Sequence, residues 1–173
     1  MIPPPILRPP ILRPPVEADL APLATLWHQA WHEAHGALVP AVLVRARTRE
    51  SFADRLPAML ARIVVAGPEG APLGFAAIEG DEMNQLFVAP GARGTGVAAA
   101  LIAAAERRLA ASGVERAWLA CAIGNHRAAR FYARAGWAHA GVISDTSQTP
   151  DGPVEHEAWR YEKTLHPATE TQP

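Results

Sequence analysis

Cysteine is almost missing from this chain of 173 residues, where Cys121 is the only one. No intramolecular disulfide can form. Cys121 lies in the apolar run Ala117 through Ile123, so it reads as a buried thiol in a reducing compartment rather than as a reactive nucleophile. An excess of charge is missing too: 16 lysines and arginines face 17 aspartates and glutamates. No general field therefore draws the chain to nucleic acid or an anionic membrane, and any phosphate recognition has to be local. There is no apolar run of the roughly 18 residues that a membrane span needs. Prolines stand where a signal peptide would carry its apolar segment, so the expected location is the cytoplasm. What is present, 49% apolar and 19% charged residues, suits an ordinary soluble domain long enough for one core. The expected division is a proline-rich disordered arm over 1–10, a single domain over 11–165 and a frayed tail over 166–173.

The first 15 residues hold seven of the 17 prolines and a direct repeat, Ile6-Leu7-Arg8-Pro9-Pro10 then Ile11-Leu12-Arg13-Pro14-Pro15. This composition predicts an extended arm leading into an edge strand near Ile11 through Arg13. Asp19 is an expected N-cap for an amphipathic helix in which Leu20, Leu23, Trp27, Ala30 and Trp31 form one stripe to about Glu33. On a neighbouring stripe His28, His32 and His35 follow at i, i+4 and i+7. The segment has no HExxH pattern and Gly36 ends it, so these histidines read as structural or substrate-lining, and no metal is expected. A second helix is expected from a Thr48 cap, with Phe52, Leu56 and Leu60 inward and Pro57 kinking or ending it. Ile63 through Ala66 and Leu73 through Ile78 flank a glycine-proline turn as a hairpin, and Gly80-Asp81 returns the chain into Met83 through Val88.

There the apolar strand meets Pro90, Gly91, Gly94 and Gly96, then an alanine-rich helix over Val97 to about Ser112 with Leu101, Ile102, Ala105 and Leu109 as its core stripe. A helix N-terminus leaves backbone N–H groups without partners and is partly positive, which suits a phosphate. Ala117 through Ala122 reads as a fully buried strand parallel to the one before the helix. A helix from near Asn125 to Ala135, a strand over Trp137 through Ile143, a polar loop over Ser144 to Pro153 and a strand near Glu155 through Lys163 complete the chain. Gly94-Thr95-Gly96-Val97-Ala98-Ala99 also fits the dinucleotide fingerprint, but Glu115 precedes its strand rather than closing it, and three strands and two helices come first. No lysine follows the glycines as a triphosphate-binding loop requires.

Leu86-Phe87-Val88-Ala89-Pro90, then Arg93-x-x-Gly96-x-Ala98, then the block Asn125-His126-Arg127-Ala128-Ala129-Arg130-Phe131-Tyr132-Ala133-Arg134-Ala135-Gly136-Trp137 occur in that order. Together they strongly resemble the GNAT superfamily of acetyl-CoA-dependent N-acetyltransferases, whose pyrophosphate motif is Q/R-x-x-G-x-G/A and whose second block is N-x-x-A-x-x-F-Y-x-x-x-G-F/W. The resemblance covers roughly Leu12 to Leu165. It implies an α/β layered fold: a mixed, mostly antiparallel sheet of six or seven strands, parallel only at a splayed central pair, with helices on both faces.

The resemblance further implies that the strand edge at Leu86, Phe87 and Val88 pairs with the pantetheine amides of acetyl-CoA, with the Val88 N–H donating to the thioester carbonyl. Arg93, Gly94, Thr95, Gly96, Val97 and Ala98 would surround the pyrophosphate. Tyr132 looks like the general acid for the departing thiolate, against a core role for its ring. Asn125 caps its helix or binds pantetheine as well. An ammonium acceptor must lose a proton. Glu82 is the first candidate base and Glu79 the second, with Asp81, His28, His32 and His139 behind them, against solvated charge at a strand end. The expected function is acetyl transfer by direct attack, without metal, to a primary amine, in first place a small molecule. Other readings are a protein N-terminal or lysine acetyltransferase, a non-catalytic acyl-CoA-binding regulator, and a nucleotide-dependent oxidoreductase. Dimers are common in the superfamily, which makes a homodimer a further expectation.

Overall fold

Short apolar runs separated by glycine turns build a continuous sheet. A computed structural model describes residues 9–166. Most of the proline-rich arm and most of the expected tail lie outside them. In chain order the strands are β1 (Leu12–Arg13), β2 (Ile63–Ala66), β3 (Gly74–Glu79), β4 (Glu82–Val88), β5 (Arg116–Ala122), β6 (Ala138–Thr149) and β7 (Gly152–Thr164). The helices are α1 (Leu20–His35), α2 (Ala41–Ala46), α3 (Arg49–Arg55), α4 (Val97–Ala111) and α5 (His126–Arg134). The sheet order is β1-β2-β3-β4-β5-β7-β6, and only β4 and β5 run parallel.

Alternation along the strands sends side chains to two cores. Ile63, Val65, Phe75 and Ala77 pack with Leu23 and Trp27 from α1, Phe52 from α3 and Leu56 just after it. On the opposite face Ala76, Met83, Leu119 and Cys121 pack with Val97, Leu101 and Leu109 from α4 and Tyr132 from α5. Helices therefore cover both faces. All four residues of the α4 stripe are buried.

The central parallel pair is joined by a single register match, Glu82 with Trp118. Trp118 also donates from its backbone N to the Asp81 carbonyl (3.1 Å) and from Nε1 to Asp81 Oδ1 (2.9 Å), which pins the two strands at this end. Between the β3 pairs Ile78–Met83 and Ala77–Gln85 the register slips, leaving Asn84 as a bulge. A bulge bends its strand. Beyond it β4 leaves β5, and among the described residues its edge from Gln85 to Val88 pairs with no strand on that side.

The structure differs from the sequence expectation in several places. Asp19 does not cap α1 with its side chain. A 3-10 turn over Glu17–Asp19 starts the helical path earlier, and the fully buried carboxylate turns away. It accepts from Arg13 Nη1 (2.6 Å) and Nη2 (2.9 Å), from the Val16 N–H (2.8 Å) and from the Gly70 N–H (2.9 Å), tying β1 to the β2–β3 hairpin. The helix begun at Thr48 ends at Arg55, and a 3-10 turn over Pro57–Arg62 rotates Met59 rather than Leu60 into the core. A short helix, α2, precedes it. β5 is buried on one face only, through Ala117, Leu119 and Cys121. The polar loop expected over Ser144–Pro153 is an extension of β6 and β7 into a long two-stranded ribbon.

The Arg13 hydrogen bonds, chiefly, hold the Asp19 carboxyl down at about 2 from 3.8. A depressed carboxylate contributes stability above its unfolded pKa and loses it as pH falls through the folded value. Asp19 should thus contribute about 2 kcal/mol above roughly pH 4 and lose it by about pH 2. Urea unfolding of Asp19→Asn against the parent chain is expected to show a deficit of at least that size near neutrality, narrowing towards pH 2. An equally large deficit at both ends would rule out its charge as the cause.

Candidate active site

The splay of β4 from β5 opens a cleft of about 790 Å³, floored by β4 and β5 and walled by α1, α5 and the β6–β7 ribbon. This is the size of a small-molecule or cofactor site. One end lies at the start of α4. Gly94 and Gly96 take φ of +73° and +88°, a left-handed backbone that selects glycine, and beyond the adjacent residues nothing lies within 4 Å of where a Cβ would stand. No side chain caps α4, and its first turn has no acidic residue. The first intrahelical bond here is Ala100 N–H to the Gly96 carbonyl (3.0 Å), so the N–H groups just before it face the cleft mouth without helical acceptors. The end is partly positive and uncontested, which suits an anion.

Arg93 and Arg127 line the same end. Arg93 Nη2 lies 2.5 Å from Glu33 Oε2 of α1, and this partner, above all, lowers the Glu33 pKa. Thr95 turns its hydroxyl inward to the Ala92 carbonyl (2.5 Å), and Val97 points into the core. Leu86, Phe87, Val88, Gly94, Gly96 and Ala98 all line the cleft. Asn125 accepts from the Ala128 N–H (3.2 Å) as the α5 cap and lines the cleft as well.

The pinned end carries the titrating groups. Glu82 lines it, half-buried. Burial first, then the charges of Asp145, Glu79 and Asp81, push its carboxyl up to about 7. Desolvation and like charges both disfavour the ionised form. Tyr132, 9% exposed, borders the cleft with its ring against Phe131 and Tyr161. Burial, then the neighbouring Cys121, raises its pKa. The bulged Asn84 adds an Oδ1 that is buried without a hydrogen-bond partner among the described residues.

The family model described as Acetyltransferase (GNAT) family matches residues 23–137. The chain belongs to this family. An uncharacterized N-acetyltransferase of Mycobacterium tuberculosis (strain ATCC 25618 / H37Rv) is 38% identical over 91 residues. That match spans 50% of this chain and 58% of the relative. Among solved structures, a GCN5-related N-acetyltransferase from Rhodopseudomonas palustris superposes with a TM-score of 0.71 at 24% identity, covering 92% of this chain and 98% of that one. A PaiA N-acetyltransferase from Thermoplasma acidophilum, in complex with coenzyme A, gives 0.65 at 16% identity, covering 91% and 100%. Both share the GNAT fold.

Against the GNAT frame, the acidic and histidine candidates separate. Glu79 pairs with Arg62 and accepts from Asn84 Nδ2 (3.1 Å), and its side chain, 61% exposed, does not line the cleft. Asp81 is spent on Trp118. The rings of His28 and His32 lie tilted against each other with centroids 4.5 Å apart, with His32 Nε2 bonded to the Arg47 carbonyl (2.6 Å), and His139 lies against Tyr161 on the outer ribbon. None of these three lines the cleft, whereas His35 does. Among the described residues no three histidine, cysteine, aspartate or glutamate side chains gather as metal ligands. Sequence reasoning singled out none of Asn84, Arg47, Arg55, Arg127 and His156, all of which line the cleft, and Asp145, which also lines it, lies in the polar segment Ser144–Pro153 read there as a loop. Asp145 sits on β6 and His156 on β7 of the ribbon.

Proposed function

We propose that the chain is an acetyl-CoA-dependent N-acetyltransferase that moves an acetyl group to a primary amine by direct attack. The carrying observation is one cleft with an uncapped helix N-terminus at one end and a carboxyl titrating near neutrality at the other. The residues present fit acetyl-CoA. Gly94, Gly96, Ala98 and the free N–H groups of the first α4 turn would hold the pyrophosphate, with Arg93 and Arg127 adding charge. The unpaired β4 edge at Leu86, Phe87 and Val88 would hold the pantetheine amides as a further strand is held. Bound acetyl-CoA would supply the acetyl thioester.

The chain's own groups then handle two protons. Glu82, ionised above about pH 7, accepts the proton of the acceptor ammonium directly or through water. Tyr132 keeps its Oη proton at neutral pH and can donate it to the departing sulfur. The Val88 N–H stands as an oxyanion donor, worth on the order of 3 kcal/mol. A base and an acid lining the same cleft favour catalysis over regulatory binding.

The test is a melting assay with acetyl-CoA followed by thiol release over an amine panel. Stabilisation by acetyl-CoA and amine-dependent release are expected. Stabilisation by NAD with none by acetyl-CoA would replace the reading with a redox one. A second measurement bears on Glu33, which holds Arg93 in the free chain. Glu33→Gln should tighten acetyl-CoA binding about two- to fivefold, the scale of an exposed ion pair. An unchanged or weaker Kd in titration calorimetry would show that Glu33 does not compete for Arg93.

A further inference from the structure

The wall of the cleft next to α2 and α3 carries more cationic surface than amine chemistry requires. Arg47, just after α2, and Arg55, at the end of α3, both line it. Arg47 is 7% exposed and gives one donor, Nη1, to the Gln148 carbonyl of β6 at 2.9 Å. Arg55 lies over the ring of Trp27 at 4.4 Å and of Phe52 at 4.8 Å. Its Nε and Nη2 are buried without a hydrogen-bond partner among the described residues. Neither guanidinium forms an ion pair among the described residues.

A buried cation beside a half-buried one whose idle donors are buried is costly, because a charge taken from water needs a partner. Aromatic faces return only part of that cost. Burial lowers the pKa of both arginines, and for Arg55 the Arg47 charge adds to it, giving about 10. An anion between them would remove the repulsion and satisfy the idle donors. Trp27 lies under Arg55, and Leu43 and the ribbon line the same cleft, whereas Arg93 and Arg127 stand with Glu33 near the α4 turn. Gln148, which holds Arg47, is three residues along β6 from Asp145, the charge that acts most on Glu82. Three strand residues span about 10 Å, within reach of one small molecule contacting both groups.

We propose that Arg47 and Arg55 form a carboxylate-binding subsite, so that the acceptor is an amino acid or similar amine bearing a carboxylate, with its amine turned to Glu82. This rests on the acetyl-transfer reading of the same cleft. The guanidinium fork matches a carboxylate with two parallel hydrogen bonds, which a point charge does not. A polyamine would meet the two arginines as a third cation and be repelled.

The test measures thiol release with leucine, phenylalanine and alanine, each beside its amide and its decarboxylated amine. For at least one set, kcat/KM is expected to favour the amino acid over both partners that lack the carboxylate by tenfold or more. Arg55→Gln and, separately, Arg47→Gln should bring that ratio to within about threefold of one, and Arg55→Lys should restore it only in part, since lysine keeps the charge without the fork. Acetyl-CoA stabilisation and turnover with every ratio near one, or a preference that survives both glutamine variants, would overturn the subsite while leaving acetyl transfer standing. Preference for a peptide N-terminus over every free amino acid would overturn it as well. No acetyl-CoA stabilisation and no turnover with any amine would bring down the acetyl-transfer reading, and this assignment with it.

Discussion

Glu82→Gln is expected to lower kcat/KM for amine acetylation by about 100- to 10,000-fold above neutral pH, the range for loss of a positioned general base. The parent enzyme's rate should climb with pH through a limb near 7, where burial and the charges of Asp145, Glu79 and Asp81 place the Glu82 carboxyl. The variant should lose that limb. A second, opposite effect follows from the same shift. A carboxyl whose folded pKa is raised contributes its full stability below the unfolded value of 4.5 and costs stability as pH rises to about 7. Groove water screens the charge, so the cost is on the order of 1–2 kcal/mol. Glu82→Gln should therefore melt at a higher temperature than the parent at about pH 8 and show no such gain near pH 4. A variant that is slower yet not more stable at the alkaline end would mean that Glu82 is less desolvated than its position indicates. A rate unchanged at every pH would remove it from the mechanism.

The parts of this fold legible in the sequence are those where one neighbour decides. Leu101, Ile102, Ala105 and Leu109 face one core because the helical period puts them on one stripe, and the glycine turn marks where β4 ends and α4 begins. The block from Asn125 to Trp137 was readable for the same reason: its cap, aromatic pair and glycine stop are all local. Illegible were features settled by distant partners. Asp19 looks like a helix cap until Arg13 and the Gly70 N–H claim it. Ser144 through Gln148 alternate as a strand does, but much of the ribbon lies beyond the two cores, so its composition resembles a loop. Arg47, Arg55, Asp145 and His156 share no motif and meet only when α2, α3 and the ribbon close on β4. The cofactor half is thus written as a local pattern and the acceptor half as a product of tertiary packing.

Tyr132→Phe should cost about 100-fold in kcat, the lower end of the general-acid range, because a thiolate is already a fair leaving group. Burial and the nearby Cys121 raise the Tyr132 pKa, so its phenol remains protonated throughout the range in which Glu82 ionises. The loss should consequently be uniform between about pH 6 and pH 9, with the Glu82 limb still near 7. The variant keeps the ring that packs on Phe131 and Tyr161, so its melting temperature should stay close to the parent's. These readouts separate three roles. A uniform fall in kcat with the limb in place and the fold intact identifies a proton donor at the sulfur. A fall accompanied by a displaced limb means that Tyr132 acts through the electrostatics of Glu82. An unchanged kcat leaves it a core aromatic like Phe131, and the departing sulfur must then take its proton from water.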